Sequence, residues 1–104
     1  MWLQHLGANV TGLALDPPTN PSLFKIANVA DGMTSIIGDI RDGSVVKNVF
    51  SRSHPEIVIH MAAQPLVLYS YDNPVETYET NVMGTVHILE ACRHSDTVKS
   101  AVMI

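Results

Sequence analysis

Apolar positions along the chain recur in two alternating rhythms. "MWLQHLGANV" places Trp2, Leu3 and Leu6 on one helical face, with Gly7 where a helix usually stops. "VTGLALD" (10–16) reads as a short buried strand ending on an acid, and "PPTNPS" as a turn-rich connection. Ser22 caps a short helix running to Asn28, and a second strand covers about 34–38. Asp42 caps a helix over 43–53 with an apolar stripe of Val45, Val46, Val49 and Phe50, stopped by His54-Pro55. "EIVIHM" has no alternation, the pattern of a strand covered on both faces. Asn73 and Pro74 open the longest helix, where Val75, Tyr78, Val82, Val86 and Leu89 keep helical spacing. "VKSAVMI" is the last strand.

Helices alternating with strands predict an α/β fold, a doubly wound parallel sheet with right-handed crossovers. Ligands of such sheets bind beyond the carboxyl ends of the strands. The first strand finishes at Asp16, the second at Asp39-Ile40, the third at Ala62-Ala63-Gln64. An acid like Asp16 either accepts hydrogen bonds from an adenosine ribose or starts a turn before Pro17-Pro18. Asp39 has the same two readings. Ala62 and Ala63 either let a flat ligand approach the backbone or pack against a helix.

Composition narrows the classes. A chain of 104 residues suffices for one core. The net charge of −4 and six scattered Lys/Arg argue against nucleic acid as a partner. No stretch approaches the ~20 apolar residues that cross a bilayer, so no membrane partner is expected. The single cysteine, Cys92, suits a reducing cytoplasm. Five histidines include no recognised metal-ligand spacing, and His60 reads as a satisfied core histidine. Of His87 and His94, one is expected to pack and one to be solvated. Met33, Met61, Met83 and Met103 read as core filler.

"GDIRD", "PEIVIHMAAQP" and "PVETYETNVMGTVHILEACR", in that order, resemble the extended short-chain dehydrogenase/reductase superfamily. "ALDPPTNPSLF", "ADGMTSIIGDIRD" and "HMAAQPLV" are similar to its CDP-glucose 4,6-dehydratase family. The resemblance implies a Rossmann-like NAD-binding domain and a lyase of nucleotide-sugar metabolism. It also implies that Asp16 holds the adenosine ribose and that Asp39 and Ile40 border the adenine. Ala62, Ala63 and Gln64 would line the path toward the nicotinamide, with Thr80 near the cofactor and Asn81 structural. The carboxylate of Asp16, followed by proline, favours NAD over NADP. Where the family usually carries an arginine after "AAQPLV", this chain has Leu68.

The family's glycine-rich loop and Tyr-x-x-x-Lys pair have no counterpart: Tyr69, Tyr71 and Tyr78 lack a lysine four residues on. No catalytic or metal-binding residue is assigned. The expectation is a fragment, residues 1–104 of a partial NAD-binding domain, lacking the central first strand and the C-terminal part and inactive alone. The strands ending at Asp16 and His60 would then pair directly, admit another chain, or leave the sheet poorly formed. The whole protein would act on a nucleotide sugar, CDP-glucose, and associate as a homo-oligomer. Two alternatives stay open: another nucleotide-sugar dehydratase or epimerase, and a non-catalytic Rossmann-like binding module.

Overall fold

The computed structural model describes Met1–Ile104 and divides into two compact units, Met1–Gly38 and Asp39–Ile104. In the first, helix α1 (Trp2–His5) ends at Gly7, whose φ of +87° is the left-handed conformation glycine tolerates. Strand β1 (Thr11–Ala14) leads to α2 (Leu23–Ile26), where the Ser22 hydroxyl accepts from the Lys25 N–H at 3.3 Å, the expected cap. Strand β2 (Thr34–Ile37) pairs with β1 in parallel, Ala14 opposite Ile37.

The second unit holds α3 (Gly43–Ser53), whose N-terminus is capped as expected by Asp42 Oδ1, accepting from the Ser44 and Val45 N–H groups. His54, at φ 45°, ends it in the left-handed region. Strand β3 (Ile57–His60) pairs in parallel with β4 (Ser100–Met103). Between them run α4 (Val67–Asp72), α5 (Pro74–Tyr78), a π-helical turn (Glu79–Met83) and α6 (Gly84–Arg93).

The strands form two separate two-stranded parallel sheets, β1-β2 and β3-β4, so direct pairing of the Asp16 and His60 strands is not adopted. This is a partial α/β fold with parallel strands and helical crossovers, as the sequence predicts.

Val46, Val49, Ile40 and Ile88 form the buried apolar core, all in the second unit. The α3 stripe therefore packs as its spacing predicts. Other expectations are overturned. Ile57 and Ile59 are exposed while His60 is buried, so β3 is covered on one face only. Met61, Met83 and Met103 are exposed and Met33 half-buried, so none of the four is core filler. Asn73 occupies the N-cap position, but its amide donates back to Tyr69 O of α4 instead of accepting from α5. Helix α4 was not legible in the sequence. Its first turn rests on Gln64, whose side-chain oxygen accepts the Leu66 N–H at 2.6 Å.

Candidate functional site

Within the second unit the loop after β3 is built around one amide pair. The Gln64 N–H donates to Asn81 Oδ1 at 2.7 Å, and Asn81 Nδ2 donates to the Gln64 carbonyl at 3.0 Å. Asn81 lies in the π-helical turn, whose extra residue per turn sets its side chain toward the loop. It thus has the structural role expected of it. The Gln64 amide itself is turned inward, donating to Thr77 Oγ1 at 3.0 Å and to Leu66 O at 3.3 Å. The backbone N–H and carbonyl of Gln64 and its side-chain amide thus all have partners within the chain.

Ala62 and Ala63 are exposed beyond the carboxyl end of β3. Neither is buried against a helix. Thr80 is half-buried in the π turn.

Ile40 is committed to the core. A Cβ at Gly84 would collide with Ile40 Cδ1, so glycine in "TNVMGT" is what lets α6 close on this side chain. The Ile40 carbonyl accepts from His87 Nδ1 at 2.9 Å, which fixes the proton of His87 on that nitrogen.

Asp39 is half-buried, and Arg41 holds its carboxyl below the ordinary range, chiefly through the side-chain hydrogen bond. Asp16, in the first unit, is exposed two residues past β1.

The remaining candidates for chemistry are accounted for structurally. His60 is 8% exposed and its Nε2 donates to Thr85 Oγ1 at 3.0 Å, because that hydroxyl already donates to Asn81 O at 2.7 Å. His87 is packed over Gly43 and His94 is exposed, as expected of the pair. The Tyr69 hydroxyl donates to Glu76, which pushes its pKa up, away from what a proton-abstracting tyrosine requires. Burial pushes the Cys92 thiol up as well, the reverse of nucleophile activation. No group of three His, Cys, Asp or Glu side chains is arranged to hold a metal ion. An open cavity of about 620 Å³ runs along α3 and α6, past Lys47, Phe50, His87 and His94. None of the sequence-predicted site residues lines it.

Solved structures share this arrangement of elements. The Thermus thermophilus UDP-glucose 4-epimerase in complex with NAD superposes with a TM-score of 0.76 at 34% identity, covering 94% of this chain and 30% of that one. The Thermotoga maritima UDP-glucose 4-epimerase with UDP-glucose gives 0.80 at 27%, covering 98% and 31%. The fold is therefore the Rossmann-like one of the short-chain dehydrogenase/reductase epimerases and dehydratases.

The sequence pattern of the GDP-mannose 4,6 dehydratase family matches residues 10–104, and the chain belongs to that family. It is 55% identical over 104 residues, its whole length, to the CDP-glucose 4,6-dehydratase of Salmonella typhimurium strain LT2. It spans 29% of the length of that relative.

Proposed function

We propose that these residues are the NAD-holding part of a nucleotide-sugar 4,6-dehydratase acting on CDP-glucose. The observation that carries this reading is the 55% identity over the whole chain to a CDP-glucose 4,6-dehydratase. The loop geometry fits a dinucleotide. Ala62 and Ala63 leave their backbone open, the Asn81–Gln64 amide pair keeps that backbone in place, and Asp39 presents an ionised carboxylate.

In this reading Asp16 accepts from the adenosine ribose hydroxyls, and its negative charge disfavours the 2′-phosphate of NADP. Asp39 and the Ile40 backbone border the adenine. Ala62, Ala63 and Gln64 flank the path toward the nicotinamide, with Thr80 near the cofactor. Held by these residues, bound NAD would supply a reversible hydride acceptor, so that oxidation at C4, loss of water across C5–C6 and reduction at C6 of the glucose ring would sum to a redox-neutral conversion. The 104 residues contain no Tyr-x-x-x-Lys pair, so no proton transfer is assigned to them.

A UDP-sugar epimerase is the second reading, favoured by the 34% identity to the Thermus epimerase. This reading keeps NAD as the cofactor and differs in the sugar nucleotide. The exposed helical face of Val75, Tyr78 and Val82 suits association with a second copy. The lone Cys92 fits a reducing cytoplasm.

Isothermal titration of NAD into the chain tests the reading, with Asp16→Ala beside it. The expected result is saturable binding that the substitution weakens by about 10- to 100-fold, the worth of a charged hydrogen bond. Equal binding by both proteins would remove Asp16 from the site.

A further inference from the structure

Arg41 is the hub of a polar chain joining three segments of the second unit. Its backbone N–H donates to Asp39 Oδ1 at 2.9 Å, while Nε and Nη2 donate to Asp39 Oδ2 at 2.8 and 2.6 Å. One neighbour therefore holds the carboxylate at three points. On its other side, Nη1 lies 3.5 Å from Glu76 Oε1 of α5. The second Glu76 oxygen accepts the hydroxyl of Tyr69, from α4, at 2.6 Å. Arg41 thus joins the loop after β2 to Glu76 of α5, and Tyr69 joins α4 to the same carboxylate. Its planar fork can serve two carboxylates at once, which a lysine ammonium cannot do with the same geometry.

The acceptor capacity of Asp39 then matters. An ionised carboxylate has about four lone-pair sites. Arg41 fills two on Oδ2 and one on Oδ1, leaving Oδ1 one site for another donor. An unheld aspartate would rotate, and fixing it would cost side-chain entropy on binding.

Resting on the reading above that Asp39 meets the adenine, we propose that Arg41 is a positioning residue for base selection. It orients Asp39 so that the remaining Oδ1 site accepts from the 6-amino group of adenine, and Glu76 and Tyr69 keep Arg41 in place. The ligand class selected is a 6-aminopurine dinucleotide over its 6-oxo counterpart.

Nicotinamide hypoxanthine dinucleotide is the probe, because a carbonyl replaces its 6-amino group and meets Asp39 lone pair to lone pair. Titration of the wild-type chain gives NAD an advantage of about tenfold or more. In Arg41→Gln, with an unchanged circular dichroism spectrum, that ratio falls to within about threefold, and Arg41→Lys restores part of it. A merely structural role would weaken both dinucleotides equally and leave the ratio intact.

A ratio unchanged in Arg41→Gln, or absent from the wild type, overturns the proposal while leaving NAD binding in place. If the wild type binds neither dinucleotide, the cofactor reading fails and this proposal falls with it. Should Arg41→Gln not fold, Arg41→Lys decides: an undiminished ratio overturns the proposal, and a reduced one supports it.

Discussion

The two units solve the problem of folding differently. Asp39–Ile104 has a small apolar core of Ile40, Val46, Val49 and Ile88, reinforced by buried His60 and by the Asn81–Gln64 pair. Met1–Gly38 buries none of its apolar side chains fully; its one buried residue is Ser22. Trp2, Leu6 and Leu23, which its helices would be expected to bury, are 75%, 65% and 78% exposed. The same helix-strand rhythm runs through both units, but only one converts it into burial. Periodicity predicts which face is apolar, not whether anything covers it.

Substitution in the core breaks that contrast most strongly. Ile88→Ala is expected to destabilise the second unit by about 2–5 kcal/mol, read from urea unfolding of its amide signals. Leu6→Ala, at an exposed position, should cost less than about 0.5 kcal/mol. Equal costs would erase the distinction.

The polar framework comes next. Asn81→Ala leaves the Gln64 N–H and carbonyl without their partners and should cost about 1–3 kcal/mol. Faster hydrogen exchange from Gln64 through α4 would accompany it. In the first unit, Ser22→Ala removes only a cap of a one-turn helix, worth about 1 kcal/mol.

The smallest effect is a pH dependence. Asp39, Asp42, Glu56 and Glu90 are all held below their ordinary values, Glu90 at about 2, and all lie in the second unit. The hydrogen-bonding groups chiefly responsible are, respectively, the Arg41 side chain, Ser44, Lys99, and Arg93 followed by His94. A carboxylate with a depressed folded pKa adds stability above its unfolded pKa and loses it as pH falls through the folded one. The second unit should thus weaken progressively from roughly pH 4.5 downward, the unfolded carboxylate range, toward pH 2. Amide spectra followed through that acid titration check it; a stability that rises on acidification would contradict these partners.

Local signals were legible in the sequence. The caps at Ser22 and Asp42, the stops at Gly7 and His54, and the inward Val46 and Val49 depend on neighbours within a few residues. The packing of His60 was legible too, since a histidine within an apolar strand needs a partner. What escaped depends on contacts distant along the chain. Helix α4 relies on a side chain that also reaches Thr77, and the π turn is an accommodation that lets Asn81 meet Gln64. The exposed faces of β3 and of Val75–Leu89 escaped for a different reason, since nothing in an apolar pattern reveals a missing cover. Of the candidate residues, Asp16, Asp39 and Ala62 each stand two positions past a strand, where the sequence predicts the strands themselves to end. That Ile40 is committed to the core, that the Gln64 amide is already used, and that Arg41 holds Asp39 were not legible.

The most direct test of the NAD-holding role is a titration of the labelled chain with NAD, followed by residue-resolved amide spectra. Saturable shifts are predicted at Asp16, Asp39-Ile40, Ala62–Gln64 and Thr80. Shifts confined to the α3–α6 cavity, at Lys47, His87 and His94, would contradict that role.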